Sequence, residues 1–563
     1  MKRLFFPLLL VTMLVALTSC GSKMGELSVD YFTVTPQVLE AVGGKVPATI
    51  NGKFPEKYFN KKTIVEVTPV LRWQGGEAKG QSATFQGEKV EANNQTIYYQ
   101  TGGNYTLRTS FDYRPEMAKS ELYLDFLVRQ GSKVFTLPSV KVADGVIATS
   151  ELLGHTLESA NVSLGADAYQ RIIKDKREEQ ILFLIQQTNI RSNQIGAANS
   201  FTNEVRNVEG TANQRISNIE ISAYASPDGG LNLNRGLAEK RQDNTAVLIE
   251  KNLKKDKIDA NIDTRYTAQD WEGFQELVSK SNIQDKELIL RVLSMYPDPE
   301  QREQEIKNIS SVYKNLADEI LPQLRRSRLT LNYEIIGKSD EEISALARNN
   351  ARSLTLEELL YAATLSDQPT EQEHIYTLAT QYFPNDYRAF NNLGKLAYEA
   401  GDIAKAERFF KQAAGIQDAP EVNNNLALVA LSQGDKATAE QYLGKASGSK
   451  ELSETMGNLY IAQGQYNRAF ISFGDAKTNS AALAQILAKD YNKARTTLDA
   501  VERPDAYTEY LKAIVGARTN NLQMVTTHLQ RAINQQPALK QQAATDLEFS
   551  KYFTNAGFQT IVR

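Results

Sequence analysis

Few residues in this 563-residue chain have types and spacings that could do chemistry. Its three histidines, His155, His374 and His528, lie in different segments, and none has a partner at metal-ligand spacing. The sequence contains no nucleophile elbow and no phosphate-binding glycine loop. Asp228-Gly229-Gly230 is turn chemistry rather than a phosphate cradle. Glu239 and Asp243 stand four positions apart, a spacing that on an exposed helix gives a solvated face. The expectation is a protein that is not an enzyme and needs no cofactor and no metal. What remains is recognition. Arg241 carries a planar fork of donors, with Ser226, Asp228 and Asn234 upstream. Asparagines recur at Asn391, Asn392, Asn424, Asn425 and Asn458, and a single cysteine stands at Cys20.

The net charge of −3, with no basic block, gives nucleic-acid binding no electrostatic support. Apolar content of 41% and charged content of 23% are ordinary for globular domains, and the length suggests three or four of them.

The residues around Arg241 need a strand, a loop and a helix to place them. Ile219, Ile221 and Ala223 alternate with Glu220, Ser222 and Tyr224, which is strand periodicity. Pro227 to Gly230 then turn the chain, and helix formers run on to Leu253. Asn232 or Asn234 could cap that helix. Ala223, Tyr224, Ala225, Ser226, Gly229, Asn234, Gly236, Leu237 and Arg241 laid along this stretch resemble the OmpA-like domain, a peptidoglycan-gripping module of outer-membrane proteins. The resemblance implies that Arg241 holds the carboxylate of diaminopimelate. It also implies an aspartate where Ser226 stands, with Asp228 two residues away as a substitute anion. The alternative is a scaffold that has lost its ligand, with Arg241 in a structural salt bridge. Peptidoglycan-binding candidates are thus Ser226, Asp228, Asn234 and Arg241.

Cys20 follows Lys2, Arg3 and an apolar run from Leu4 to Leu17, the layout of an export signal. Leu17-Thr18-Ser19-Cys20 resembles the lipobox of bacterial lipoproteins, which implies acylation of Cys20 and residues 1–20 as signal and anchor. Ser22, two residues after the cysteine, resembles the outer-membrane sorting signal, so a lipid anchor in the outer membrane facing the periplasm is expected.

Residues 28–147 read as an antiparallel β-sandwich of short strands. Pro69 within Thr63–Trp73 suggests an edge or a bulge. Hairpins are expected at 96–100 with 104–113 and at 122–128 with 134–142. Residues 148–171 are polar and read as a linker. Residues 170–338 read as an α/β OmpA-like domain in the order β-α-β-α-β-β, starting from a buried strand at Ile181–Ile185. A helical insertion at 270–326 interrupts it. Asp270-Trp271-Glu272-Gly273-Phe274 and Leu321 to Arg326 at its ends resemble an OmpA-like subfamily common in Bacteroidetes.

From 345 to 550 the pattern repeats. Gly394, Ala397, Gly401, Ala406, Phe410 and Ala413 resemble the tetratricopeptide repeat, and Gly434 with Ala439, then Gly457, Gly464, Ala469 and Phe473, repeat it. The resemblance implies an α-helical solenoid whose groove binds a protein. The groove candidates are Asn391, Asn392, Asn424, Asn425 and Asn458, with solvated helix-surface asparagines as the alternative. The whole reads as an outer-membrane lipoprotein scaffold that joins peptidoglycan to a protein partner, in an assembly or secretion complex. The alternatives are a surface-exposed adhesion or fimbrium-associated lipoprotein, or a glycan-binding protein acting through its sandwich.

Overall fold

The computed structural model describes residues 24–283, 286–308 and 314–563. Cys20, Ser22 and the export signal lie outside the described residues. The chain divides into two compact units, one made of residues up to Ala166 together with Ser366–Arg563, the other of Asp167–Leu365.

In the first unit, two sheets close over one apolar core. Strands Phe32–Thr35, Lys45–Phe54 and Gly103–Asp112 form the smaller sheet. The larger runs in the order Val38–Glu40, Lys133–Ile147, Ser120–Gln130, Thr63–Trp73, Ala83–Gly87 and Gln95–Ile97. Alternation decides which face each residue takes: Val46, Ala48, Ile50 and Phe54 point inward while their neighbours face out. Phe54 and Tyr105 of the small sheet meet Phe85 of the large one, with centroids 5.5 and 4.6 Å apart.

Two expectations change here. Residues 95–97 and 103–112 do not form a hairpin: the first strand pairs in parallel with Ala83–Gly87 and the second with Lys45–Phe54. Pro69 lies in a central strand, not at an edge. On one side its strand pairs with Ser120–Gln130 throughout; on the other it passes from Ala83–Gly87 to Gly76–Lys79 around Thr68 and Pro69. The missing proline N–H therefore falls where the partner changes. Ser120–Gln130 and Lys133–Ile147 do pair as a hairpin.

Residues 148–166 are not a free linker. Leu152, Leu153, Leu157, Ala160 and Val162 are buried in the same cluster as the helices of 387–562. Those helices come in pairs, beginning with Tyr387–Glu399 and Ile403–Ile416, then Pro420–Ser432 and Lys436–Leu443, then Leu452–Ala462 and Tyr466–Phe473. The sequence explains the turn between partners. Gly401 and Gly434 sit at φ +80° and +78°, and Asp402 and Asp435 behind them cap the next helix. Gly394 and Gly457 let the paired helices close: a Cβ there would lie 2.5 and 2.6 Å from the rings of Phe410 and Phe473.

The second unit holds a four-stranded sheet in the order Ile172–Leu182, Arg326–Ile336, Gln214–Tyr224, Ile262–Thr267. Only the last pair is parallel. Helices Ile195–Glu209 and Leu231–Asp256 pack on the sheet through Phe201, Val205, Ile249 and Leu253. The first strand begins nine residues before the expected one and ends at Leu182. Its run Lys174–Glu179 looks like loop sequence, but it occupies a sheet edge, where charges are tolerated and block further pairing. The strand Ile262–Thr267 starts later than the alternation of Ile258, Ala260 and Ile262 in the sequence suggests. Helices Asp340–Asn349 and Leu356–Thr364 belong to this unit rather than to the repeats, so the repeat region starts after Leu365. The insertion has its own core of Phe274, Val278, Ile289, Leu293, Leu316 and Leu324.

Candidate functional site

Arg241 lies in the third turn of the helix Leu231–Asp256, on the face that meets the sheet. It is 1% exposed. Its donors go to main-chain carbonyls: Nε to Gln187 at 3.0 Å, Nη1 to Tyr224 at 2.9 Å and Nη2 to Leu184 at 3.3 Å. The guanidinium also lies over the ring of Phe183, 5.1 Å from its centroid. Burial, with the charge of Arg325 nearby, lowers its pKa to about 10, which still leaves it protonated at neutral pH. The fork therefore ties the segment after the first strand to the end of the third-listed one. This differs from both sequence readings, because these bonds reach neither solvent nor a carboxylate.

Asn234 is not the helix cap. Gly230 precedes the helix, and Asn234 sits inside it, donating from Nδ2 to Ser226 O and Gly229 O, both at 2.8 Å. A side chain at Gly229 would crowd that amide, its Cβ falling 2.8 Å from Asn234 Oδ1. Ser226 donates to Asp228, and Arg325 reaches both, at 3.2 Å to Ser226 Oγ and 3.3 Å to Asp228 Oδ2. Pro227 and Asp228 line a cavity of about 20 Å³ with Trp271, Phe274, Leu316 and Leu321 of the insertion. That is water-sized. The insertion covers the loop, and Arg325, at the insertion's end, takes up the acid.

Four of the five candidate asparagines of the repeats are brought together, and none of the five is a solvated surface residue. Asn391 and Asn392 on Tyr387–Glu399, and Asn424 and Asn425 on Pro420–Ser432, face an extended segment of the same unit, residues 160–166. Asn425 takes both main-chain groups of Ser163: Oδ1 accepts from its N–H at 2.8 Å, and Nδ2 donates to its carbonyl at 2.8 Å. Asn392 does the same for Gly165, at 2.8 and 3.0 Å. Asn391 adds a second donor to Ser163 O at 3.0 Å and accepts from Asn425 at 2.9 Å. Each amide thus stands in for a neighbouring β-strand.

The Ser163 side chain is held as well. Its hydroxyl donates to Glu451 Oε2 at 2.6 Å, accepts from Asn424 Nδ2 at 3.1 Å and lies 2.9 Å from Ser449 Oγ. On either side, Tyr398 OH donates to Leu157 O at 2.9 Å, Asn161 donates to Glu454 at 3.1 Å, and Arg388 donates to Ala166 O at 3.1 Å. Further back, Thr149 donates to Glu548, which Arg518 grips at 2.7 and 2.6 Å. Sequence reasoning singled out the asparagines but not Ser163, Gly165, Tyr398, Glu451 or Glu454. The one available signal was the apolar series Leu152, Leu153, Leu157 and Val162 in a stretch otherwise polar.

Residues 387–419 match the family model of the tetratricopeptide repeat. No curated protein matches the chain. Among solved structures, the chain is similar to a tetratricopeptide repeat protein from Parabacteroides merdae, at 14% identity and a TM-score of 0.28, over 40% of this chain and 89% of that one. It is similar to PilW, a type IV pilus biogenesis factor, at 18% identity and a TM-score of 0.25, over 40% of this chain and 98% of that one. It is similar to yeast Tom70 at 10% identity and a TM-score of 0.25, over 64% of this chain and 82% of that one. The C-terminal half of the first unit is thus a helical-repeat region containing a tetratricopeptide repeat, a type of module that makes protein–protein contacts.

Proposed function

We propose that the chain is a non-enzymatic scaffold lipoprotein of the outer membrane, anchored by acyl chains on Cys20 and facing the periplasm, whose repeats hold polypeptide. The observation that carries the scaffold reading is the paired grip of Asn392 and Asn425 on the main chain of Gly165 and Ser163. Such a grip binds backbone and transforms nothing. The envelope location rests on the lipobox-like Leu17 to Cys20. Labelling with radioactive palmitate tests it: wild type should take up label and Cys20→Ala should not. Protease added to intact cells should leave the protein whole; degradation without permeabilisation would favour a surface adhesin.

A second role, contact of the α/β unit with peptidoglycan, is favoured by one feature. Asp228 and Arg325 put an anion and a cation side by side at the loop that resembles the OmpA-like ligand site. A diaminopimelate would have to part this pair beneath the insertion, its ammonium meeting Asp228 and its carboxylate Arg325. Co-sedimentation with purified sacculi tests it, with Asp228→Asn and Arg325→Ala as variants that spare Arg241. Pelleting that depends on both residues supports the role, and equal pelleting of all three proteins removes it.

A further inference from the structure

Asn392, Asn425 and Asn458 recur at a spacing of 33 residues, one per repeat. The first two hold residues two apart in an extended segment, a rise of about 6.6 Å. The segment runs from the later repeat toward the earlier one, since Ser163 meets Asn425 and Gly165 meets Asn392. Two positions on it accept only particular side chains. At Gly165 a Cβ would lie 2.9 Å from Arg388 Cβ and 3.0 Å from its Cα, so backbone blocks anything larger than hydrogen. At Ser163, which is 0% exposed, the hydroxyl has both a donor and an acceptor waiting. The third asparagine, Asn458, is 2% exposed. Its Oδ1 has no hydrogen-bond partner, and the segment's residue Asn161 bonds Glu454 instead.

We propose that this groove is a sequence-selective receptor for an extended polypeptide bearing Ser-x-Gly, and that Leu157–Ala166 is its resident ligand. The proposal rests on the reading above that the repeats grip main chain. A partner of the repeats is then an extended segment with the same Ser-x-Gly register, which must displace the resident one. The resident has the advantage of being tethered, at an effective concentration of the order of millimolar.

The test uses the full chain and a fluorescent peptide copying residues 157–168. In wild type the resident segment should keep the peptide out. In full-length Gly165→Leu, and independently in Ser163→Lys, the groove is vacated and the peptide should bind with an anisotropy rise. The same peptide with leucine at its Gly165 position should bind at least tenfold more weakly, and so should the native peptide to Gly165→Leu carrying Asn392→Ala and Asn425→Ala. Equal binding of the native and leucine peptides overturns the Ser-x-Gly selectivity but leaves main-chain gripping intact. No binding of any peptide to a folded variant overturns both. Loss of helical structure in both variants also overturns the proposal, because a receptor outlasts the loss of its ligand.

Discussion

Asn425→Ala is the sharpest perturbation of the groove. Ser163 is fully buried, and its N–H has Asn425 Oδ1 as acceptor at 2.8 Å. The carbonyl of Ser163 keeps the Asn391 donor at 3.0 Å when Asn425 Nδ2 is lost. The substitution therefore deletes two hydrogen bonds to the segment, each about 0.5–1.5 kcal/mol net, and strands the buried Ser163 N–H at about 1–3 kcal/mol, besides removing the donor to Asn391 Oδ1. Allowing for overlap between these, the segment should be loosened by about 2–4 kcal/mol. At 1.4 kcal/mol per tenfold, that is about a 30- to 1,000-fold faster opening. Hydrogen exchange read on a proteolytic fragment spanning residues 157–168 measures it, with Asn492→Ala at an exposed position as the control. Adding Asn392→Ala should give less than the sum of the single effects, since Asn391 bridges the two amides and the segment leaves as one piece. An Asn425→Ala effect no larger than the control's would refute the bidentate grip.

Three further outcomes follow from the same physics. Arg241→Lys should destabilise the α/β unit nearly as much as Arg241→Ala, by about 3–5 kcal/mol in chemical denaturation, because an ammonium cannot span the three carbonyls that the fork ties together. Burial raises Asp546 from 3.8 to about 6, with its carboxylate against Tyr510 OH at 2.8 Å. The folded state therefore keeps a proton that the unfolded state releases. Stability from this group is full below pH ~4 and is lost as pH rises through about 6, of the order of 3 kcal/mol. Asp546→Asn should flatten the unfolding midpoint of the first unit between those pH values relative to wild type. Gly394→Ala should cost about 1–3 kcal/mol by overpacking against Phe410, measured as a lower melting temperature; an unchanged temperature would show that the helix pair has room to spare.

Much of the architecture could be read from local pattern. Alternation marked the strand around Ile221, and the small–large series Gly394, Ala406, Phe410 marked the first good repeat. What could not be read was long-range. The partner change at Pro69 depends on which strands arrive on either side of it. The charged run Lys174–Glu179 becomes a strand because it lies at an edge. Arg241 looks like a ligand fork in one dimension, yet folding brings three carbonyls from two separate segments into its reach. The asparagines were legible as a recurring groove feature. Their occupant was not, because it lies over 200 residues earlier, in a stretch whose composition says linker.

The most direct test of the central claim, that the chain's own segment fills the groove of its repeats, is a cross-link. Ser163 Oγ and Ser449 Oγ lie 2.9 Å apart, and the chain has no cysteine other than Cys20. In a Cys20→Ser background, Ser163→Cys with Ser449→Cys should oxidise to a disulfide in the folded full-length protein, seen by mass spectrometry as one linked pair of fragments. Two thiols that stay free and alkylate at the rate of exposed cysteines would place the segment outside the groove and contradict the account.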